Sequence, residues 1–195
     1  DADFIILAVS DEAYPQALDL ITAKCRAIVC HTSGSVSMNV LSSYSGDFGV
    51  IYPLQSLRKE EVKSVMQVPF FIEGNNASTL NKVKELADSI SNKVSEVTSE
   101  QREKYHLAAV FANNFTNLMY SIAAEYLEKE GLNFDNLLPI IAETATRLKD
   151  DKPQAWQTGP AKRGDKAVID KHIGMLDDPA LKIIYKQLSE YITST

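Results

Sequence analysis

Short apolar runs alternate with longer polar or amphipathic stretches through residue 98. A short continuous apolar run bounded by turn-forming residues is typical of a strand that is buried on both faces. Five strands are predicted: Phe4–Val9, Ala27–Cys30, Gly49–Tyr52, Val68–Ile72 and Val94–Val97. Helices are predicted between them at Ala13–Lys24, Met38–Ser42 and Ser78–Asn92. Strands that alternate with helices predict an α/β fold with right-handed crossovers and a mostly parallel sheet.

The pattern changes at Thr98, and only helical periodicity follows. Glu100–Lys129 is predicted as one long helix, because its apolar residues recur at three- and four-residue spacing and Gly131 follows its end. Three further helices are predicted, at Asp135–Leu148, Asp165–Leu176 and Pro179–Ile192. We therefore expect two domains, an α/β domain over residues 1–98 and an all-α domain over residues 99–195.

Composition and charge narrow the class of protein. The chain of 195 residues has a formal net charge of -6, which argues against a general nucleic-acid or anionic-membrane binder. Its two cysteines, Cys25 and Cys30, are expected to be free thiols in a reducing, cytoplasmic compartment. No apolar run is long enough to predict a membrane span. The chain opens on Asp1 without an initiator Met and enters a strand at once, so we expect an amino-terminal portion to be missing.

Polar clusters follow two neighbouring predicted strands, where ligands bind in open α/β sheets. His31, Thr32, Ser33 and Gly34 follow the second strand, and His31 could orient a ligand or exchange a proton. The alternative is that Thr32 and Ser33 only cap the next helix. Tyr52-Pro53-Leu54-Gln55 follows the third strand, where Gln55 could bind a substrate or the segment could simply be a strand-terminating turn.

Two further clusters lie in the helical part. His106, Asn113, Asn117 and Tyr120 share one face of the predicted long helix, and a polar line on a buried helix needs partners. A substrate, a neighbouring helix or a second subunit could provide them. Lys162 and Arg163 lie in a predicted loop that leads into a helix, where they could hold an anion, or the loop could be solvated and capped by Asp165.

Several motifs are absent from the sequence. It contains no Gly-x-Gly-x-x-Gly and no Walker loop, so the chain has no phosphate cradle of its own. It has no Gly-x-Ser-x-Gly nucleophile elbow. No His, Cys or Asp cluster has metal-ligand spacing, so no metal is predicted.

The order of these motifs resembles a known family. The segments concerned are Asp3–Asp11, His31–Gly34, Pro53–Gln55 and Thr158–Pro160 followed by Arg163–Asp165. They resemble Rossmann-like NADP oxidoreductases, also labelled pyrroline-5-carboxylate-reductase-like, with a carboxy-terminal helical domain of uncharacterised function. The resemblance implies the later half of a Rossmann-type parallel sheet followed by a helical domain like that of 6-phosphogluconate dehydrogenase. It also implies that the missing amino-terminal part holds the glycine-rich loop and most of the pyrophosphate site.

The resemblance also implies roles for individual residues. NADP or NAD would lie beside the strand-end residues Val9, Ser10, Asp11, His31, Thr32, Ser33 and Gly34. The family often has His-Pro-Leu-Gln where this chain has Tyr52-Pro53-Leu54-Gln55. Related β-hydroxyacid dehydrogenases carry a catalytic Lys and an Asn one turn apart on the long helix. Asn113 and Asn117 loosely match those positions, and the lysine is absent.

Two hypotheses follow. The first is an NAD(P)-dependent oxidoreductase that transfers hydride to or from a small metabolite at the cleft between the domains. Its expected catalytic residues are His31, Asn113 and Asn117, and its expected substrate-binding residues are Tyr52, Gln55, Lys162 and Arg163. The second is a non-catalytic dimeric metabolite-binding or interaction module that retains a Rossmann remnant. In both cases a homodimer is expected through the helical domain, because the long helix is apolar around much of its circumference.

Overall fold

The computed structural model describes residues 2–21, 25–57, 64–149 and 152–195. The chain divides into two compact units, Asp1–Ala123 and Ala124–Thr195. The change from mixed elements to helices alone comes at Ser99, as predicted. The division into units falls further along, inside the long helix. A functional boundary near residue 98 stays a prediction.

A five-stranded sheet forms the centre of the first unit, with strand order β1-β2-β3-β4-β5. Its strands are β1 (Phe4–Leu7), β2 (Ile28–His31), β3 (Phe48–Pro53), β4 (Phe70–Gly74) and β5 (Val94–Glu96). The pairs β1–β2, β2–β3 and β4–β5 are parallel, whereas β4 runs antiparallel to β3. The predicted mostly parallel sheet is confirmed, and the reversal at β4 is the exception to it.

Eight α-helices accompany the sheet in the described part of the chain. They are α1 (Tyr14–Asp19), α2 (Ala77–Asp88), α3 (Ser99–Ala109), α4 (Thr116–Lys129), α5 (Leu138–Arg147), α6 (Pro160–Arg163), α7 (Lys166–Met175) and α8 (Pro179–Ser194). A six-residue π-helical segment, Val110–Phe115, joins α3 to α4, so the predicted long helix is continuous but changes its pitch in the middle. The predicted helix over Met38–Ser42 is a 3-10 turn, Met38–Leu41.

Both faces of the sheet are covered, which explains the unbroken apolar runs in the sequence. On one face, Val83 and Ala87 of α2 pack on Cys30, Ile51 and Ile72. On the other face two clusters form. The first is Leu7, Val29, Leu41, Tyr14 and Leu18, and the second is Val50, Tyr52, Phe71 and Val97.

Two boundaries differ from the prediction in ways that affect the site. Strand β2 begins and ends one residue later than predicted, so His31 is its last residue rather than the first residue beyond it. Strand β1 ends at Leu7, so Val9 lies outside it. Helix α1 ends at Asp19, and residues 22–24 of the predicted helix lie outside the described residues.

The second unit is built from helices, of which α6, α7 and α8 pack together. Helix α6 was predicted as a loop. Its end is set by Gly164, which has a left-handed φ of 67° that favours glycine. Asp165 follows and caps α7, its carboxylate accepting from the Val168 amide at 3.2 Å. No helix among the described residues combines the length and apolarity needed to cross a membrane.

Candidate active site

The loops after β1 and β2 meet at the edge of the sheet where the parallel strands end. Ser10 and Asp11, which follow β1, are exposed. The Ser35 hydroxyl, in the loop after β2, donates to Asp11 Oδ2 at 2.6 Å. Thr32 Oγ1 lies 3.5 Å from the Leu7 carbonyl, to which it donates. The structure therefore brings together the predicted cofactor-binding segments Val9–Asp11 and Thr32–Gly34.

The segment Thr32–Val36, here called the β2 loop, is held in a fixed turn. Ser33 is buried, and its Oγ accepts from the amides of Ser35 and Val36 at 3.2 and 3.1 Å. The helix-capping alternative applies to another residue, because it is Ser37 whose side chain accepts from Asn39 at the start of the 3-10 turn. Ser33 thus shapes the loop itself.

His31, the last residue of β2, forms a hydrogen bond with the β2 loop. The side chain is fully buried, and its Nδ1 accepts from the Ser33 amide at 3.2 Å. Burial, and secondly the nearby positive charge of Arg102, lower the pKa of His31 to about 4, so the ring is neutral at pH 7. Its Nε2 is buried without a hydrogen-bond partner among the described residues. This placement suits a residue that positions the loop, and direct catalytic or cofactor contact by His31 stays a prediction.

Arg102 joins three elements at the base of this site, and sequence analysis did not identify it. The guanidinium Nη1 pairs with Glu73 Oε2 of β4 at 2.7 Å. Its Nε and Nη2 donate to the carbonyls of Ser33 and Val36 at 3.1 and 2.5 Å. A signal was present, because Arg102 stands one turn before His106 and extends the polar line of the long helix backwards.

One turn after Arg102, His106 meets Tyr52 of β3. The Tyr52 hydroxyl and His106 Nδ1 are 3.1 Å apart. Gly34 of the β2 loop lies against this pair so closely that a Cβ at position 34 would be 2.6 Å from His106 Nδ1 and 2.8 Å from Tyr52 Cζ. Burial raises the pKa of the Tyr52 hydroxyl, with the Arg102 charge acting in the opposite direction, so the hydroxyl stays protonated at neutral pH.

A cleft of about 250 Å³ opens beside the Tyr52–His106 pair. Its lining comes from the end of β3, from α3 and from the π-helical segment: Tyr52, Leu54, Gln55, Ser56, His106, Ala109, Val110, Asn113 and Asn114. The predicted residues Tyr52, Gln55 and Asn113 are therefore brought together. His106 also lines the cleft, although the sequence only placed it on the polar line of the long helix and gave it no catalytic role.

Asn117 does not line this cleft. Asn113 and Asn114 lie in the π-helical segment that contributes to the lining, and the Asn113 amide is 3.4 Å from Asn114 Oδ1. Asn117 lies beyond this segment, in α4. The catalytic role of Asn117 stays a prediction.

Lys162 and Arg163 belong to the second unit and are exposed. They lie in the last turn of α6 rather than in a loop before α7, and the Asp165 carboxylate occupies the amino end of α7. This arrangement favours the capped-loop alternative over an anion site at that helix end. Within the described residues, no group of three or more His, Cys, Asp and Glu side chains could hold a metal ion.

Other cavities have separate linings. One, about 990 Å³, lies at the amino ends of β1 and β2 and includes Asp3, Phe4, Ile28 and Asp47 in its lining. Another, about 260 Å³, belongs to the second unit and is lined mainly by apolar atoms of Tyr126, His172, Met175, Leu176 and Tyr185. Two polar groups of this lining bond each other, His172 Nδ1 and the Tyr185 hydroxyl being 2.7 Å apart.

The sheet, its polar strand-end loops and the helices that follow define the class of Rossmann-like NADP oxidoreductases with a carboxy-terminal helical region, which confirms the fold class predicted from the sequence. The chain belongs to the family described as "Domain of unknown function (DUF2520)", whose sequence profile matches residues 68–192. The pyrroline-5-carboxylate-reductase-like part of the prediction stays a prediction. Among curated proteins, none matches the chain.

Three solved structures illustrate the similarity. The "putative NADP oxidoreductase BF3122" from Bacteroides fragilis is 42% identical with a TM-score of 0.95, over 100% of this chain and 76% of that one. Protein TM1727 from Thermotoga maritima is 26% identical with a TM-score of 0.78, over 100% of this chain and 80% of that one. A reductive aminase from Aspergillus terreus, solved with NADPH and ethyl levulinate, is 12% identical with a TM-score of 0.67, over 97% of this chain and 73% of that one. At this last identity the similarity concerns the fold alone.

Proposed function

We propose that the chain is part of an NAD(P)-dependent oxidoreductase that acts on a small metabolite in the cleft beside Tyr52 and His106. The observation that carries this proposal is the contact of Gly34 with both residues, because it puts the β2 loop directly beside the cleft. In open α/β sheets the carboxyl ends of the strands are where nucleotides bind. The name of the Bacteroides fragilis protein supports the same class of reaction.

The residues at this edge fit one end of a dinucleotide. Ser10, Asp11 and Ser35 present exposed hydroxyl and carboxylate groups, which suit the hydroxyls and carboxamide of a nicotinamide riboside. When bound, the reduced nicotinamide supplies a hydride to the substrate carbon. Asp11 would repel a phosphate, and the sequence has no glycine-rich phosphate loop. These residues would therefore hold NADP or NAD at its nicotinamide end.

The chain's own side chains then bind and orient the substrate. Gln55 and Asn113 line the cleft and can each donate and accept hydrogen bonds. Such amides discriminate strongly between polar substrates, since a mismatched ligand leaves them unpaired. Lys162 and Arg163 belong to the second unit, and their role in binding an acidic group stays a prediction. The two free thiols support the predicted cytoplasmic location.

Titration with NADPH and NADH, followed by nicotinamide fluorescence, tests this function. We expect saturable binding of at least one dinucleotide, weakened in Asp11→Leu and unchanged in Asp88→Leu, which alters an exposed carboxylate on α2. Gln55→Ala should leave dinucleotide affinity unchanged and raise KM for a substrate. Absence of saturable binding by the unaltered protein would favour the alternative, a non-catalytic dimeric module.

We also propose that two copies associate through the long helix. Leu107, Phe111, Phe115 and Leu118 recur at helical spacing and are between 46% and 63% exposed. A contiguous apolar strip of this kind marks an interaction surface, and a second copy presents the same strip in a two-fold pairing. Analytical ultracentrifugation should give a dimer, and Phe111→Glu should shift it to monomer. Lys82→Glu, which changes an exposed residue of α2, should leave the dimer unchanged.

A further inference from the structure

The His106 ring is held on one side and free on the other. Tyr52 and Gly34 both lie on its Nδ1 side, the first at hydrogen-bond distance and the second in close contact. The two rings meet edge to face, with centroids 6.1 Å apart at an interplanar angle of 75°. Tyr52 in turn packs on Phe71 of the sheet. No hydrogen bond to His106 Nε2 is formed within the described residues, and His106 lines the cleft.

We propose that His106 is the proton donor of this cleft, that Tyr52 positions its ring, and that the substrate is a small carbonyl or imine compound. The proposal rests on the function proposed above and deepens it. It goes beyond the residues expected from the sequence, because His106 was given no catalytic role there. It also assigns to Tyr52 a positioning role rather than only a place in the substrate-binding surface.

The chemistry balances with these groups and the proposed dinucleotide. As the hydride reaches the substrate carbon, the π electrons of the C=O or C=N bond move to its oxygen or nitrogen. That atom takes the Nε2 proton of the His106 imidazolium, and an alcohol or amine results while His106 becomes neutral. Imidazole is reprotonated readily by water near neutral pH, so the donor is restored between turnovers. Proton donation by a positioned side chain typically contributes about 10²–10⁴-fold to a rate.

The Tyr52 hydroxyl can hold the ring in both protonation states. It accepts a hydrogen bond from Nδ1–H of the imidazolium, and it accepts the same bond after Nε2 has given up its proton, because the neutral ring keeps its Nδ1–H. Burial keeps this hydroxyl protonated by raising its pKa, which makes it a weak acid and a dependable hydrogen-bond partner. Hydrogen bonding at one ring nitrogen therefore orients the other toward the substrate.

The charged and titratable groups around His106 come from each element packed against it. Strand β3 contributes Tyr52, and the β2 loop contributes none, since Thr32–Val36 contains no ionisable side chain. Helix α3 contributes Arg102 one turn earlier, and that charge is paired with Glu73 of β4. The carboxylate nearest to Arg102 is thus already engaged, and Tyr52 is the group that contacts the imidazole directly.

Two variants separate the roles of the pair, and the chain provides a matched control. His106→Asn retains an amide that can bond Tyr52 but removes the proton donor. Tyr52→Phe retains the ring packing but removes the hydroxyl. The second His–Tyr pair, His172 and Tyr185, has the same kind of hydrogen bond at 2.7 Å in the other unit, so Tyr185→Phe removes a comparable hydroxyl away from the cleft.

The activity test follows NADPH or NADH oxidation with a panel of small aldehydes, 2-oxo acids and cyclic imines. We expect His106→Asn to lower kcat by about 10²-fold or more with dinucleotide affinity unchanged. Tyr52→Phe should lower kcat by about tenfold and shift the pH profile, again without weakening dinucleotide binding. Tyr185→Phe should match the unaltered protein. If His106→Asn keeps kcat within threefold while the unaltered protein turns over, the proton-donor proposal is overturned and the oxidoreductase proposal stands.

A second readout does not depend on turnover. The chain has three histidines, so ¹⁵N spectra of the imidazole rings can be assigned with single substitutions and followed against pH. We expect the Tyr52→Phe change to alter the tautomer balance of His106 alone, and Tyr185→Phe to alter that of His172 alone. Unchanged His106 signals in Tyr52→Phe would overturn the positioning role even if no panel compound reacts. Failure of the unaltered protein to bind either dinucleotide would overturn both this proposal and the proposed function.

Discussion

Arg102, which is buried, forms an ion pair with the partly buried Glu73 that fixes helix α3 to strand β4. Their nearest atoms, Nη1 and Oε2, are 2.7 Å apart, and the Arg102 side chain is 1% exposed. The same guanidinium donates to the carbonyls of Ser33 and Val36. One side chain therefore sets the distance between the β2 loop, with Gly34, and the helix that carries His106. The planar fork of arginine suits this task because it can bond several acceptors in fixed directions.

Replacing Arg102 should be strongly destabilising. Arg102→Met removes the ionic partner of Glu73, which keeps only the Ser99 hydroxyl, and the donor to the Ser33 and Val36 carbonyls. Removing one member of a buried pair typically costs about 3–5 kcal/mol. Arg102→Lys keeps the charge but not the fork, so it should recover only part of that loss. Chemical denaturation followed by circular dichroism measures both changes as a shift of the unfolding midpoint.

Lys104→Met provides the control for this prediction on the same helix. Lys104 pairs with Glu100 at the surface, with 71% of its side chain exposed. Solvent screens such a surface pair, so it contributes little to stability. Equal losses in Arg102→Met and Lys104→Met would contradict the anchoring role of the buried guanidinium.

Gly34 should not tolerate even a methyl group. A Cβ there would come within 2.6 Å of His106 Nδ1, so Gly34→Ala must push apart the β2 loop and the Tyr52–His106 pair. Overpacking of this kind typically costs about 1–3 kcal/mol, and the displaced ring should lower substrate turnover as well. Thermal unfolding and the kcat of the variant check the two effects.

Gly174, in α7, is the matched control position. The glycine-to-alanine substitution should increase the stability of the protein there instead of lowering it. A Cβ there meets nothing within 4 Å. Alanine in a helix is favoured over glycine by roughly 0.5–1 kcal/mol because it restricts the unfolded chain. Destabilisation by Gly174→Ala, or tolerance of Gly34→Ala, would show that close contact at position 34 is not what limits the substitution.

The sheet and the helices could be predicted because their signals are local. Continuous apolar runs at Gly49–Tyr52 and its neighbours correctly predicted strands covered on both faces. Tyr52 and Gln55, which the strand-end rule selected, line a cleft, and their substrate-binding role stays a prediction. The antiparallel direction of β4 could not be predicted in the same way, because an apolar run has the same sequence signature whichever way the strand runs.

The parts of the site that were missed depend on contacts distant in sequence or on single-residue offsets. Arg102 lies 69 residues from Ser33, and its place on the polar line of the long helix does not tell that its side chain is buried. A one-residue error at the end of β2 moved His31 from the strand into the loop.

The two cysteines should differ sharply in reactivity. Cys30 is fully buried, and burial raises the pKa of its thiol to about 12, so almost none is present as the reactive thiolate at pH 7. Cys25 is partly exposed. Labelling with a thiol reagent should therefore modify one thiol in the native protein and two after denaturation. Cys25→Ser should leave no rapidly reacting thiol, and fast native labelling of that variant would contradict the burial of Cys30.

His31 should make stability depend on pH in the acidic range. Its pKa is about 4 in the folded protein, against 6.5 for an unperturbed histidine, because burial and the Arg102 charge oppose protonation. Below pH 6.5 the unfolded chain therefore binds a proton that the folded chain does not bind. The stabilising contribution is fully present above pH 6.5 and is lost as the pH falls through about 4. A shift of this size corresponds to roughly 3 kcal/mol.

Comparison with His31→Gln isolates this effect from the carboxylates, which titrate in the same range in both proteins. The free energy of unfolding should be measured by urea denaturation at half-unit steps from pH 7.5 to 4. The unaltered protein should lose stability relative to His31→Gln as the pH falls, with the difference growing most steeply below pH 6.5. Parallel curves would mean that His31 is protonated as easily in the folded protein as in the unfolded chain. Its ring would then be open to solvent rather than sealed beneath the β2 loop.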